Sequence, residues 1–302
     1  MGSNNNSVAL QYIKDWGYCD AIQGEKPEKR LKYFVDEFDR WFANFSDEEK
    51  IVIEKLLDRF CYYSKTRVNQ YLEELHKELF DAHHLKNNDT IYTYIRRRDG
   101  FLNSSSSFLN DYKTVNRINK GMCSDDIGNI EESYWKHINN IVFIDDCLGT
   151  GDSLKEELEE LSKKVSFEGK NIYFVVIHAM ENGKAKIGDE NGVTVVAKNI
   201  CKKVFNFEVY GEDWELARDV INKASKRLGI SERYKRGYKK SESLMAFSEN
   251  TPNNTIGIFW QDVEDEYASI FPREEIQRPG AHELKENRKN RRNENHNSKT
   301  GA

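Results

Sequence analysis

The sequence lacks the segments that place a protein in or across a membrane. Its apolar runs fall well short of the roughly 18 residues that a membrane-spanning segment requires. Residues 1–6, Met-Gly-Ser-Asn-Asn-Asn, have neither the basic nor the apolar region of a signal peptide. We therefore expect a soluble cytoplasmic protein without a membrane partner.

Cysteine and histidine show no spacing typical of a metal site. The 5 cysteines are scattered and include no CxxC pair, and the 7 histidines form no HExxH pattern. Neither a disulfide framework nor a thiolate zinc site is predicted from this spacing. Each cysteine is instead interpreted as a small buried thiol.

Positive charge is not in excess. The chain has 46 Lys and Arg against 51 Asp and Glu, for a net charge of -5, so it has no general attraction to polyanions. Any nucleic-acid contact must come from a local patch. With 38% hydrophobic residues among 302, the chain can bury a substantial core in one large or two modest domains.

Residues 1–88 are predicted to form a helical N-terminal region. Apolar residues recur at three- and four-residue spacing between positions 31 and 42, as in an amphipathic helix. Ser46 followed by Glu49 predicts a capping box at the start of the next helix. No catalytic pattern is present, which favours a structural or partner-binding bundle.

From residue 89 onward, strands alternate with helices, which predicts βαβ units on a mostly parallel sheet over residues 89–275. The predicted strands are residues 90–95, 140–144, 172–177, 193–196 and 244–247, and helices are predicted near residues 108–118, 153–164 and 214–228.

Residues 276–302 are predicted to be a basic, disordered tail, because almost no apolar residue follows Glu283. A tail of this composition could contact RNA or DNA or could simply be solvated.

The segment 141–154 carries the strongest chemical signal. A predicted buried strand is followed by Asp145 and Asp146, and a loop rich in Gly, Thr and Ser then leads into a helix. Ligands of open α/β sheets bind at the carboxyl ends of the strands. Free amides at the helix start, with the hydroxyls of Thr150 and Ser153, suit a phosphate.

The two carboxylates need a different ligand group, because they repel phosphate. They could accept hydrogen bonds from sugar hydroxyls or hold Mg²⁺, so the segment indicates a phosphorylated sugar. It lacks the lysine of a GxxxxGK[ST] loop and the spacing of GxGxxG. An ordinary strand–turn–helix with an acidic edge remains the alternative.

These residues also resemble a known family. Asp145-Asp146 with Gly149-Thr150-Gly151-Asp152-Ser153 resembles the phosphoribosyl-pyrophosphate (PRPP) motif of type I phosphoribosyltransferases. Residues 251–260 (TPNNTIGIFW) and 271–273 (FPR) resemble the closing segment of a phosphoribosyltransferase-like family of bacterial conflict systems, including retron-type anti-phage operons.

The resemblance implies the type I phosphoribosyltransferase-like α/β fold, with a five-stranded, largely parallel core and a small hood over the active site. It implies PRPP and Mg²⁺ as ligands. Asp145 and Asp146 then fall on the ribose-binding, metal-associated catalytic acids. The 5′-phosphate loop corresponds to Gly149, Thr150, Gly151, Asp152 and Ser153.

Residues 98–107 follow the first strand, where this family has its pyrophosphate loop. Donors there are Asn103, Ser104, Ser105 and Ser106, which suit an anion but equally fit a serine-rich helix cap. Arg96, Arg97 and Arg98 could neutralise pyrophosphate or form an exposed strand end.

Residues 251–254 have the composition of a turn. In this turn, Asn253 and Asn254 could present their amides to a base or an acceptor.

The functional hypothesis is a phosphoribosyltransferase-like enzyme that acts on PRPP or a related phosphorylated ribose nucleotide with Mg²⁺. The resemblance implies a toxic effector of an anti-phage system, with partner proteins, with or without RNA or DNA, contacting residues 1–88 or the tail. Two alternatives stay open: hydrolysis with water as the acceptor, and an inactive nucleotide-sensing or docking module. The inactive module is favoured by Gly149, which stands where purine-salvage members carry an Asp base.

Overall fold

The computed structural model describes residues 34–96 and 104–273, together with Ala9, Gln11 and Tyr12. The predictions made for Arg97, Arg98 and Asn103, and for the tail at 276–302, therefore lie outside the described residues. Within the described ranges, no helix has both the length and the apolar character needed to cross a bilayer.

The described residues form an α/β protein. Its helices are α1 (Phe34–Phe42), α2 (Asp47–Leu57), α3 (Lys65–His83), α4 (Ser104–Val115), α5 (Glu132–Trp135), α6 (Asp152–Leu161), α7 (Glu181–Asn191), α8 (Phe207–Tyr210) and α9 (Trp214–Arg227). Its strands are β1 (Cys61–Tyr63), β2 (Thr90–Tyr94), β3 (Asn140–Leu148), β4 (Asn171–Met180), β5 (Thr194–Cys201) and β6 (Met245–Phe247).

The main sheet has the strand order β2-β3-β4-β5, and all its pairs are parallel. This confirms the predicted parallel sheet flanked by helices. One detail was wrong: β3 does not end before the two acids but continues through Leu148, because its pairing with β4 extends to Leu148↔Ala179. Asp145 and Asp146 therefore lie inside the carboxyl half of the strand.

Side chains of β3 alternate between two cores, as the pleat of a strand requires. Val142 and Ile144 pack on the face covered by α3 and α4. Ile141 and Phe143 pack on the opposite face, against α6 and α7. Burial on both faces makes the strand a continuous apolar run, and its position in the sheet is fixed from both sides.

A second, two-stranded sheet pairs β1 with β6 in parallel, in the register Tyr62↔Ala246. The strand β1 is not among those predicted from the sequence; it has 3 residues and a partner far along the chain. Within the described ranges, the strands therefore form sheets of four and two rather than one five-stranded core.

The helices α1 and α2 share a core with residues 204–271. The Trp41 Nε1–H donates a hydrogen bond to Tyr267 Oη at 2.6 Å, and the ring of Phe271 stacks on Phe34 and Phe60. The capping box at Ser46 is confirmed.

This shared core covers the apolar faces of α1 and α2 with residues of the same chain. A partner surface on residues 1–88 and a domain boundary at residue 89 stay predictions.

We expect Phe271→Ala to lower the free energy of unfolding by about 3–5 kcal/mol, because a fully buried ring is replaced by a cavity. The matched control is Phe207→Ala, whose ring is 67% exposed and whose removal should change stability by no more than about 0.5 kcal/mol. Urea unfolding of both variants measures the difference; equal losses would contradict the shared core.

Candidate functional site

A cavity of about 650 Å³ lies at the carboxyl edge of the main sheet. Its lining includes the end of β3, residues 149–151, 153 and 154, and a C-terminal segment that contributes Arg233, Asn250, residues 252–254 and Arg273. The C-terminal segment thus covers the edge of the sheet, as a hood would. The volume of the cavity suits a ligand of nucleotide size.

The acid pair is enclosed in this cavity, with Asp145 9% and Asp146 7% exposed. The Ser105 hydroxyl donates a hydrogen bond to Asp145 Oδ1 at 2.7 Å, and the Asp146 amide donates to the same oxygen at 2.8 Å. Burial, followed by the like charge of Asp146, raises the pKa of Asp145 well above its usual range. A cation or a group of hydroxyl donors at this pair would offset that cost.

The loop after β3 exposes backbone donors at the start of α6. Gly151 adopts a φ of 83°, a left-handed conformation that glycine tolerates, and α6 begins at Asp152. In the part of the chain that the structure describes, no group accepts a hydrogen bond from the amides of residues 150–153. These amides are available to an anion.

The side chains of the loop are used differently from the prediction. The Thr150 hydroxyl does not stand free for a ligand but donates to Asp152 Oδ2 at 2.6 Å. Lys186 and Lys239 donate to the two Asp152 oxygens at 2.6 and 2.7 Å. Partial burial opposes ionisation, but these lysines outweigh it and hold the pKa of Asp152 below its usual range. Two cations against one anion leave positive charge beside the loop.

Two glycines allow three chain segments to meet at the loop. A Cβ on Gly149 would lie 2.1 Å from the Asn254 side-chain nitrogen, and a Cβ on Gly183 would lie 2.1 Å from the Gly149 carbonyl oxygen. The predicted turn before Thr255 is confirmed, because its amide donates to the Pro252 carbonyl at 3.0 Å. The turn therefore seats Asn254 directly against the candidate phosphate loop.

Other predicted residues differ in their placement. Asn253 lines the cavity, whereas Ser106 is half-buried in α4 and does not. Ser104 begins α4. Arg96 lines the cavity, but its guanidinium is already paired with Asp126 at 2.6 Å and Glu157 at 2.7 Å. It is therefore not the uncommitted cation that pyrophosphate neutralisation requires.

One wall of the cavity is aromatic and basic and was not predicted from the sequence. Arg233 stacks over the rings of Tyr238 and Tyr234, at 4.9 and 5.3 Å from their centroids. Arg273 lies over Trp260 and donates to the Thr251 carbonyl at 3.0 Å. The run RYKRGYKK over residues 233–240 is a basic and aromatic signal that could have found part of this wall.

A parallel sheet with an acid pair and an amide-lined loop at its carboxyl edge defines a phosphoribosyltransferase-like α/β protein. The family model PRTase-CE matches residues 38–273, more than half of the chain. The protein therefore belongs to the PRTase-CE family, as the resemblance in the sequence indicated.

Three solved structures show weaker likeness. Xanthine-guanine-hypoxanthine phosphoribosyltransferase of Helicobacter pylori is 15% identical, with 47% of this chain and 83% of that chain covered and a TM-score of 0.32. AQ2163 protein from Aquifex aeolicus is 14% identical, with coverages of 56% and 84% and a TM-score of 0.31. A hypothetical protein from Neisseria gonorrhoeae with bound ppGpp is 13% identical, with coverages of 46% and 82% and a TM-score of 0.32.

The search of the curated proteins found no match.

We expect Gly183→Ala to destabilise the protein by about 1–3 kcal/mol, because the added Cβ meets backbone that cannot move aside cheaply. Gly188→Ala in the same helix is the matched control, since its Cβ would lie 3.7 Å from the nearest atom. The control should gain up to about 1 kcal/mol of helix propensity. Urea unfolding distinguishes the two, and a neutral Gly183→Ala would contradict the close approach.

The raised pKa of Asp145 makes wild-type stability fall with rising pH in the absence of ligand. Below the pKa of an aspartate in the unfolded chain, about 3.9, Asp145 is protonated in both the folded and the unfolded state, so its titration does not change the free energy of unfolding. Above that pKa, ionisation is unfavourable in the folded state only. We expect Asp145→Asn to raise Tm by a few degrees at neutral pH and to leave it unchanged near pH 3. Thermal scans across pH measure this, with the exposed Asp189→Asn as control; a lower Tm for Asp145→Asn at neutral pH would contradict it.

Proposed function

We propose that this protein is a phosphoribosyltransferase-like enzyme that acts on PRPP or a related phosphorylated ribose nucleotide with Mg²⁺. The observation that carries the proposal is the single cavity in which the acid pair and the loop with free amides lie together. An anion site beside a carboxylate pair suits a ligand with phosphate at one end and hydroxyls at the other.

The acids would bind the ribose end. Their carboxylate oxygens can accept hydrogen bonds from the 2′- and 3′-hydroxyls, and as hard oxygen donors they also fit Mg²⁺. The raised pKa of Asp145 supports this fit, because a nearby cation would relieve the repulsion between Asp145 and Asp146. When bound, the ion supplies positive charge to the pyrophosphate group.

The loop would bind the 5′-phosphate. The backbone N–H groups of residues 150–153 have no hydrogen-bond acceptor among the described residues. Lys186 and Lys239 flank the loop. A neighbouring cavity of about 300 Å³ shares Gly149 and Thr150 with the main one and is lined by four lysines, which are Lys186, Lys203, Lys239 and Lys240. This charge favours an anionic group at the loop.

In the reaction, the bond between C1 of the ribose and the pyrophosphate oxygen breaks, and C1 bonds to the acceptor nucleophile, which loses its proton. The chain contributes positioning and charge stabilisation rather than a covalent intermediate. The rings of Tyr234 and Tyr238 offer apolar surface in the same cavity for a base.

We extend the proposal to the biological setting. The similarity of residues 251–260 and 271–273 to proteins of bacterial conflict systems supports a toxic effector of an anti-phage system. In this setting the enzyme would work in the cytoplasm. Partner proteins, with or without nucleic acid, would hold it in check through residues 1–88 or the basic tail.

The test is calorimetric titration of the full chain with PRPP, with and without Mg²⁺, and assay of pyrophosphate release with candidate acceptors. Asp145→Asn and Asp146→Asn should each weaken Mg²⁺-dependent binding by about 10- to 100-fold, as expected for losing a charged hydrogen-bond partner. Asp189→Asn is the matched control and should bind as the wild type does. Binding that is equal in all four proteins would refute the proposal.

One observation favours the inactive module as the second candidate. Asn254 fills the space beside Gly149, the position where purine-salvage members of the resembled family carry a general base. In this case the wild type would bind PRPP with Mg²⁺ but release no pyrophosphate with any acceptor, water included.

A further inference from the structure

Away from the cavity that contains Asp145 and Asp146, three side chains that can bind a metal ion lie close together. Cys61 in β1, His178 in β4 and Cys201 at the end of β5 each offer a ligand atom, and these atoms all lie within 4.8 Å of one another. The four described cysteines are half-buried rather than buried. The absence of CxxC spacing predicted no thiolate cluster, but the ligands here come from three strands.

His178 is 1% exposed, and its two ring nitrogens have different surroundings. Nδ1 lies 2.9 Å from the Tyr63 hydroxyl. Nε2 is buried and has no hydrogen-bond partner within the described ranges. Histidines that bind metals characteristically engage one nitrogen with a neighbouring polar group and leave the other for the ion.

The Tyr63 hydroxyl helps to hold the His178 ring in place. The Asn199 amide donates to the Tyr63 oxygen at 3.0 Å, and that oxygen lies 2.9 Å from His178 Nδ1. Nδ1 thus has a polar neighbour, and Nε2 is the ring nitrogen left for an ion.

Cys61 and Cys201 belong to strands of different sheets, and their sulfurs lie within 4.8 Å of each other. Cysteine binds metal ions as the thiolate. Because the cluster joins both sheets, its ligands are held by strands rather than by mobile loops.

We propose that Cys61 Sγ, Cys201 Sγ and His178 Nε2 bind a zinc ion that links the two-stranded sheet to the main sheet. Two thiolates and an imidazole are donors that zinc prefers, and three protein ligands leave one position of its tetrahedron open. Binding converts both cysteine thiols to thiolates and releases their protons to water.

A cavity of about 650 Å³ is available to the fourth position. It is lined by His178 and Cys201 together with polar residues such as Arg59 and Asn206. Water from this cavity completes the coordination.

The experiment is metal analysis of the full chain, purified under reducing conditions without chelator. We expect about one zinc per chain in the wild type, and at least about tenfold less in Cys61→Ser and in Cys201→Ser. Cys123→Ser is the matched control, because Cys123 is a half-buried cysteine outside the cluster; it should keep its zinc. Circular dichroism checks that each variant is folded.

A second readout keeps the test decisive if a variant unfolds. Cobalt substituted for zinc in the wild type should give a near-ultraviolet charge-transfer band from thiolate ligation and visible bands of tetrahedral geometry. A wild type without zinc and without these bands would overturn the proposal. So would full zinc content in Cys201→Ser, or a Cys61–Cys201 disulfide found by peptide mapping after the thiols of the isolated protein are blocked.

Discussion

Two adjacent carboxylates held at the carboxyl end of a parallel sheet are the constraint around which the rest of the site is arranged. Desolvation and mutual repulsion make Asp145 costly to ionise without a ligand. The Ser105 hydroxyl and the Asp146 amide offset part of that cost. The remainder is what a cation or a sugar diol at this pair would relieve.

The second constraint is steric. The carbonyl of Gly149 lies against Gly183, and the Asn254 side chain lies on its other side, in spaces that a Cβ would occupy. The loop is therefore held between α7 and the turn that the C-terminal segment supplies. That segment is in turn supported by the aromatic core that it shares with α1 and α2. Contacts far from the chemistry thus set the position of the loop amides.

Much of the fold follows from patterns that are local in the chain. The strands of the main sheet were predictable because β-branched and aromatic runs are bounded by helical periodicity, and the capping box at Ser46 needs only four consecutive residues. The strand β1 was not predictable, because its three residues form a strand only when they pair with β6, far along the chain. The extension of β3 through Leu148 likewise depends on its pairing with β4.

The same division holds for the candidate site. The sequence by itself determined the acids and the glycine-rich loop, because a strand, a turn and a helix start are contiguous and their chemistry can be read from neighbouring residues. Only the tertiary structure decided that Asp152 is paired with lysines, that Arg233 and Tyr238 face the same cavity, and that Cys61 meets His178. Those contacts depend on how the sheets pack and how the strands align, and no spacing of residues along the chain encodes them.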